Sequence, residues 1–421
     1  MIKLYEHQEK GKQALLKNKK YCLFFEVGTG KTFTALSALC DLPACKVLIV
    51  APKRVLENVW KKDTTYDLSE YDVTYLNYEK IARDAKFTQN TYDVIILDEV
   101  HKLKGKTTKT SRKFRTVTAK AKYVWGLTGT PVANNYADVY NIYKNMNIVE
   151  FEMTYDEFVW RYYYTKQMES NSGFKFDILL NAKPFMLDEL MTRIGKHSMV
   201  KEAKDCIDLP EKRTDLVYID GMINEKYLEL KDGILKTAEY EKTMIPLETL
   251  NKLHQASNGF FYDDYKVPQV ICENKKLKEL SDILDDMLEE TERVIIVYQY
   301  QYDLEQLKTL KYNWTLDPNE FPEKQILFLQ FGQSEGLNLQ YCNQMIFYSY
   351  DYSFLNYEQM TGRVYRNGQK NNVVYTILIS RGTIEEKVWW AISNKKSRDE
   401  YLKEVLSLNE CWITQIQWAV S

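Results

Sequence analysis

The stretch Tyr21-Cys22-Leu23-Phe24-Phe25-Glu26-Val27-Gly28-Thr29-Gly30-Lys31-Thr32, continued by the apolar run Phe33 to Leu39, decides how the chain is read. Five largely apolar residues in a row, Tyr21 to Phe25, fit a strand buried on both faces. The two glycines that follow mark a tight turn, and the next apolar segment fits a helix. A glycine-rich turn between strand and helix lets backbone N–H groups close around phosphate oxygens, and the helix start adds partial positive charge. Gly28, Thr29 and Gly30 would form that cradle, Lys31 would reach the β- and γ-phosphates, and the Thr32 hydroxyl would ligate Mg²⁺. The full pattern G-x-x-x-x-G-K-[ST] is broken at its first position, which is Phe25.

Working outward, three more apolar runs share this form: Lys46 to Val50, Tyr92 to Leu97 and Tyr123 to Leu127. Each ends in a turn element and precedes a segment that can be helical, which predicts a parallel α/β unit over residues 1–150. The texture changes at Phe151. Residues 151–260 read as a helical insertion and linker, aromatic-rich from Phe158 to Tyr164, broken at Asn171-Ser172-Gly173, with a long charged stretch from Asn224 to His254. A second strand–helix series occupies 261–421: Val294 to Tyr298, Ile326 to Leu329, Met345 to Tyr348 and Val373 to Ile379, then a helical tail. Two α/β lobes joined by a helical insertion is the expected architecture.

The third run of the first lobe ends in Asp98-Glu99-Val100-His101. Carboxylates at the C-terminal end of a parallel strand can serve a metal and a water together. Asp98 is the candidate metal-side ligand and Glu99 the candidate base for the attacking water.

Composition sets the limits. The chain has 421 residues, 45% hydrophobic and 28% charged, with a formal net charge of −2. That is globular usage, without a global basic excess to advertise a polyanion partner. Apolar runs fall far short of the ~20 residues of a spanning helix, and the N-terminus has no apolar secretory core, so no membrane association and a cytoplasmic setting are expected. The seven cysteines contain no CxxC pair, against a zinc site or a disulfide framework. Local charge is less even: from Lys102 to Lys122 there are nine Lys/Arg and no acids. Phosphate contact is one explanation; a solvated helix packing its apolar side on the sheet is the other, and the preferred one. The aromatic stripe Phe158 to Tyr164 allows base stacking, although helical spacing favours core. His197 and His254 read as structural.

These motifs, taken in order, resemble the Swi/Snf-like DNA translocase branch of helicase superfamily two. Leu4, His7-Gln8 and Gly11 resemble its upstream glutamine motif, which implies that Gln8 meets the adenine edge. Ala51-Pro52-Lys53 with Asn58 and Trp60, and then Asn77-Tyr78-Glu79, resemble the next two motifs. Asp98 to His101 is a DE-x-H box, and Leu127-Thr128-Gly129-Thr130-Pro131 resembles the motif coupling nucleotide state to strand contacts. Asp208-Leu209-Pro210-Glu211-Lys212 resembles the exit from the insertion, and Gly336-Leu337-Asn338-Leu339 the motif V core. Gln359-Met360-Thr361-Gly362-Arg363-Val364-Tyr365-Arg366-Asn367-Gly368-Gln369 follows the family's Q-x-x-G-R-x-x-R-x-G-Q almost letter for letter.

The resemblance implies two RecA-like lobes and a DNA-dependent ATPase using ATP and Mg²⁺. Gln359 would belong to the nucleotide site, and Arg363 and Arg366 would complete it from the second lobe. Lys53, Thr128 and Ser334 would contact the nucleic-acid backbone. The implied partner is double-stranded DNA, along which the motor moves and remodels DNA or bound proteins. A replication, recombination or nuclease partner is compatible with it, and a monomer is expected. Two other readings stay open: a helicase directed to RNA or single strands, and an ATP-gated clamp that recruits a partner without stepping. The clamp has a basis in the sequence. Only Gln299 to Gln325 separate two second-lobe strands where the family usually has a longer, backbone-gripping segment. The short chain of motifs resembles a minimal motor of bacterial or phage type.

Overall fold

The computed structural model describes residues 3–62, 65–104, 109–129, 136–169, 175–201, 206, 209–232, 247–334 and 336–394. Thr130, Pro131, Asn171-Ser172-Gly173, Asp208, the middle of the charged stretch and the C-terminal tail lie outside the described residues. The chain divides into two compact units, Met1–Asp208 and Leu209–Ser421.

The N-terminal unit is built on a six-stranded sheet. Its members are β1 (Lys20–Phe25), β2 (Lys46–Val50), β3 (Asp72–Leu76), β4 (Val94–Asp98), β5 (Tyr123–Leu127) and, after a two-stranded ribbon of β6 (Tyr163–Glu169) and β7 (Lys175–Ala182), β8 (Ser198–Lys201). Their order is β3-β2-β4-β5-β1-β8, and every pairing in it is parallel. Both faces are covered. Leu23, Phe25, Ile49, Ile96 and Trp125 point to one core, shared with the helices α1 (Glu6–Asn18) and α2 (Lys31–Cys40). Phe24, Leu48, Ile95, Leu97 and Val124 point to the other, under the helices that follow β4 and β5. Strands buried on both sides read as continuous apolar runs, which is why β1, β2, β4 and β5 stand out in the sequence.

The C-terminal unit repeats the plan. It comprises β9 (Lys212–Ile219), a small antiparallel pair β10 (Phe260–Tyr262) and β11 (Pro268–Val270), then β12 (Val294–Tyr298), β13 (Trp314–Thr315), β14 (Ile326–Gln330), β15 (Gln344–Phe347) and β16 (Val373–Ser380). Its main sheet runs β13-β14-β12-β15-β16-β9, again all parallel. Two doubly covered parallel sheets of this kind are the RecA-like pair expected from the sequence.

Residues 151–260, expected to be a helical insertion, differ from that reading. They hold the helices Tyr155–Tyr162, Leu187–Lys196 and Leu247–Ala256, but also the β6–β7 ribbon, β8, which extends the first sheet, and β9, which closes the edge of the second. β9 is largely exposed and begins Lys-Arg-Thr-Asp. Charged residues on an edge strand discourage pairing with another chain, and they hide the strand from a search for apolar runs.

One polar cluster is sealed inside the C-terminal unit. The Lys276 ammonium donates to both Glu385 carboxylate oxygens at 2.7 and 2.9 Å and to Asn258 Oδ1 at 2.9 Å, with no solvent exposure of either charge. His254 lies beside it, bonded to the Tyr300 hydroxyl at 3.0 Å, and burial pushes its imidazole down to about 4. His254 therefore stays neutral and serves the packing of this unit.

Candidate active site

The loop after β1 is held open by its own backbone. Gly28 and Gly30 sit at φ +86° and +84°, a region that side chains with a Cβ rarely adopt. A Cβ on Gly30 would also come within 2.1 Å of Gln8 Nε2. Phe25, the residue that breaks the sequence pattern, is the last residue of β1 and fully buried. The departure therefore falls in the strand and its core contacts, and the turn keeps both glycines.

Two side chains from α1 fasten this loop. His7 Nε2 lies 2.9 Å from the Thr29 carbonyl oxygen, and Gln8 Nε2 donates to the same oxygen at 3.1 Å. Gln8 Oε1 accepts from the Tyr5 N–H at 3.0 Å. Gln8, expected near adenine, is buried here as a strut between α1 and the loop; His7 shares that task, a role the sequence reading did not give it. Lys31 begins α2, and its ammonium donates back to the carbonyls of Phe25 at 2.8 Å and Glu26 at 3.2 Å. Thr32 follows on the same first turn, half-buried.

Asp98 closes β4, buried, with each carboxylate oxygen engaged. Trp60 Nε1 donates to Oδ2 at 2.8 Å and the Glu99 N–H donates to Oδ1 at 3.0 Å. Trp60 arrives through a widened π-type turn over Leu56–Trp60, a local irregularity common beside functional groups. The Tyr78 hydroxyl donates to the Asp98 carbonyl at 2.7 Å. Neither contact was foreseen, although Trp60 and Tyr78 both lie in motifs quoted from the sequence. Burial, with the neighbouring Glu99 charge, raises the Asp98 carboxyl to about 6; the Trp60 hydrogen bond and the Lys31 charge pull the other way. β1 and β4 flank β5 in parallel, so the phosphate loop and the carboxylate strand end on the same edge of the sheet, with the Lys31 charge acting on Asp98.

A folded-state pKa raised from 3.8 to about 6 has a definite sign. The folded state binds the proton more tightly, so the associated stability is present below pH 4 and is lost as pH rises through about 6. Asp98→Asn keeps an acceptor for one of the two donors, Trp60 Nε1 or the Glu99 N–H, as the protonated carboxyl does, and removes the buried charge. It is expected to raise the thermal midpoint at pH 8, worth up to about 3 kcal/mol, and to leave it unchanged at pH 4. A lower midpoint at pH 8, read by differential scanning fluorimetry, would contradict this assignment.

Glu99 occupies the left-handed region at φ +52°, uncommon for a residue with a long side chain. This bend turns its carboxylate away from the strand axis and towards His101 and Thr128. Glu99 Oε2 lies 3.3 Å from His101 Nδ1 and accepts from Thr128 Oγ1 at 3.5 Å, while His101 Nδ1 and Thr128 Oγ1 are 2.9 Å apart. Thr128, expected at the nucleic-acid backbone, is fully buried in this triangle and offers no surface to a phosphate here. Gly129 next to it packs on the phosphate loop, where a Cβ would meet Val27 at 3.2 Å. Lys53 is exposed at the start of the helical turn after β2.

The basic run favours its plainer reading. Lys113 donates to the carbonyls of Ile81, Ala82 and Asp84, Lys120 to that of Thr88, and Arg115 to Asn145 Oδ1. These cations tie the helix Lys109–Lys120 to its neighbours.

In the C-terminal unit, the helix Phe354–Thr361 carries buried Gln359 and ends at Gly362. The turn that follows is fixed by Gln369. Its amide donates to the carbonyls of Cys342 and Val364, and its oxygen accepts from the Lys370 and Asn371 N–H groups. This turn meets the motif V core: Leu339 N–H donates to the Arg363 carbonyl at 3.1 Å, and the Arg366 guanidinium donates to the Leu337 carbonyl at 3.2 Å and to Asn338 Oδ1. Burial, then the like charge of Arg363, draws Arg366 down to about 10. Among the described residues Arg366 bonds neutral oxygens beside the Arg363 charge, which makes a place that an anion relieves. Ser334, before the motif V core, is buried, and its hydroxyl has no partner among the described residues.

The donor set can be tested against the implied cofactors. Among the described residues no group of three or more His, Cys, Asp or Glu could hold a metal. One hydroxyl, one carboxylate and a phosphate cradle suit Mg²⁺, which keeps several waters and is bound through one or two carboxylates plus substrate phosphates. The residues fit ATP with Mg²⁺.

A parallel sheet with a phosphate loop on one strand and an acidic pair on another is the arrangement of a nucleotide site at the C-terminal edge of the strands. Residues 64–259 match the model of the SNF2-related domain. The chain is 24% identical over 434 residues to an uncharacterized ATP-dependent helicase of Bacillus subtilis strain 168, covering 88% of this chain and 74% of that protein. It is 24% identical over 436 residues to the chromodomain-helicase-DNA-binding protein 1-like of Mus musculus, covering 88% of this chain but only 46% of that one. Among solved structures, the Hef helicase domain of Pyrococcus furiosus is similar in fold, with a TM-score of 0.50 at 14% identity, covering 91% of this chain and 97% of that one. Residues 64–259 are thus similar to an SNF2-related domain, and the chain as a whole is similar to ATP-dependent helicases. Among the described residues no helix is long and apolar enough to cross a membrane.

Proposed function

We propose that the chain is a DNA-dependent ATPase that couples hydrolysis to movement on duplex DNA and so remodels DNA or DNA-bound proteins. The observation that carries this reading is the convergence at Asp98, where the Lys31 charge, the Trp60 donor and the Glu99 backbone meet one buried carboxylate. ATP would draw Lys31 off the Phe25 and Glu26 carbonyls onto its phosphates, with Gly28, Thr29 and Gly30 offering the cradle. Thr32 and Asp98 would hold Mg²⁺, which when bound offsets phosphate charge. Glu99, aimed by His101 and Thr128, would orient the attacking water and take its proton. Gln8 would fix the loop and edge the base. Gln359, Arg363 and Arg366 would supply the part of the site that the N-terminal unit lacks, since a planar guanidinium pairs bidentately with phosphate oxygens. Lys53, Ser334 and, through a change of state at Glu99, Thr128 would carry the response to the nucleic-acid backbone.

Support for the DNA substrate comes from the likeness to the SNF2-related domain and from the murine relative, whose name pairs helicase with DNA binding. Phosphate release measured with blunt duplex DNA, single-stranded DNA and RNA tests it. Duplex DNA is expected to stimulate turnover most, in a salt-sensitive manner. Stimulation by RNA alone would replace the substrate assignment.

A further inference from the structure

The run from Pro52 to Lys62 joins the candidate phosphate contact Lys53 to the candidate metal ligand Asp98. It is one continuous helical stretch. Leu56 N–H donates to the Pro52 carbonyl at 3.0 Å, Lys61 N–H to that of Leu56 at 3.0 Å and Lys62 N–H to that of Val59 at 3.2 Å. Lys53 stands in its first turn, and Trp60 closes the π-type turn Leu56–Trp60 near its other end. The inner face, Val55, Leu56 and Trp60, is buried in the core that holds Ile49 of β2 and Ile96 of β4. The outer face is exposed and basic: between Lys53 and Lys62 it carries Lys53, Arg54, Lys61 and Lys62 against the single acid Glu57.

β2 and β4 are paired neighbours, with Val50 opposite Leu97, so the chain leaving β2 starts beside Asp98. The indole returns to that place, where Trp60 Nε1 donates to Asp98 Oδ2 at 2.8 Å. The donor to the other oxygen is the Glu99 N–H, fixed in the backbone that ends β4. Of these two donors Trp60 is therefore the adjustable one. The turn that delivers it is closed from Lys61 onto Leu56, one residue wider than an α-helical turn. A return to α-helical pitch would swing Trp60 by about 100° around the axis relative to Lys53 and take its N–H off the carboxylate. The segment thus has two discrete arrangements, one with Asp98 held and one with it released.

We propose that Trp60 is a positioning residue through which nucleic acid acts on the metal side of the nucleotide site: its indole orients the Asp98 carboxylate for Mg²⁺, and a backbone phosphate on Lys53 steadies that hold through the turn Lys53–Trp60. The inference rests on the functional reading above and deepens it, by naming how nucleic acid regulates that site. A side chain that hydrogen-bonds a metal-ligating carboxylate sets which lone pairs the metal meets, and losing such a partner costs about 10–100-fold in metal affinity. A phosphate on the outer face neutralises like charges that the short run holds close together, and so favours the arrangement in which the turn and the indole stay in place. The two bindings are then linked reciprocally, each changing the affinity for the other by the same factor.

Equilibrium binding of a fluorescent, non-hydrolysable ATP analogue to the full chain, titrated with Mg²⁺ in the presence and absence of blunt duplex DNA, tests it. Trp60→Phe keeps a ring in the core and removes the N–H; Trp60→Met does so with a flexible filler, should the phenyl ring pack poorly. Without DNA, both are expected to raise the Mg²⁺ midpoint about tenfold. Tyr78→Phe, which deletes the donor to the Asp98 backbone carbonyl, is expected to lower the thermal midpoint and keep the parental Mg²⁺ midpoint. In the parent, duplex DNA is expected to lower the Mg²⁺ midpoint about fivefold, and Mg²⁺ with the analogue to tighten duplex binding, read by anisotropy, by the same factor. Lys53→Ala and the Trp60 variants are each expected to lose that mutual effect. A parental Mg²⁺ midpoint in both Trp60 variants would overturn the proposal, and so would an undiminished effect of DNA in them. Either result, with a parent chain that duplex DNA still stimulates, leaves the functional reading standing; a parent chain that binds no nucleic acid would sink that reading and this link with it.

Discussion

Glu99→Gln is expected to lower ATP turnover by about 10³-fold while the chain still binds ATP and keeps its thermal midpoint. The amide has the shape of the carboxylate and can stay between His101 and Thr128, which lie 3.3 and 3.5 Å from Glu99 Oε2. What it lacks is the ability to accept a proton from water. The strained backbone at φ +52° is unchanged by the substitution, so the side chain is still delivered to the same place. Equilibrium binding of a fluorescent ATP analogue, measured beside phosphate release, separates the two effects. Near-parental turnover would remove Glu99 from the chemistry and turn attention to Asp98, whose carboxyl is raised to about 6.

Arg366→Ala is expected to cost about 10³-fold in turnover, again with ATP binding largely retained, because the proposed cradle and metal ligands are residues of the N-terminal unit. Folding is expected to survive. The substitution deletes hydrogen bonds to Leu337 and Asn338 but also removes a charge that burial and Arg363 both disfavour. Arg366→Lys is expected to recover little, since a point charge on a flexible stem does not reproduce a planar fork. Turnover within twofold of the parent for Arg366→Ala would mean that the C-terminal unit contributes nothing to the chemistry.

The sequence announced the parts of the fold whose physics is repetitive. β1, β2, β4, β5 and β12, β14, β15, β16 are buried on two faces and appear as unbroken apolar runs. β3 and β9 escaped because edge strands face solvent and mix apolar with charged residues, as in Lys212-Arg213-Thr214-Asp215. The ribbon β6–β7 was masked by its aromatic start, which continues the helical spacing of Phe158 and Tyr162. The chemical groups of the candidate site were legible because phosphate and metal chemistry restricts them to a few residue types at fixed places relative to strands. Their supports were not. Nothing in the order of residues says that the Trp60 indole reaches Asp98 across 38 positions, or that Tyr78 anchors the same strand end from below. Such contacts depend on the three-dimensional path of the loop after β2 and on its π-type turn. The split of the aromatic stripe into core and surface follows from where the helix Tyr155–Tyr162 lies on the sheet, a fact that spacing alone does not contain.

Displacement of a third DNA strand from a triplex, followed in parallel with phosphate release, tests the coupling of hydrolysis to movement most directly. Release of the third strand is expected to require ATP and to disappear in Glu99→Gln and Arg366→Ala alike. Brisk, duplex-stimulated hydrolysis by the parent chain with the triplex left intact would contradict a translocating motor and favour a clamp that hydrolyses ATP in place.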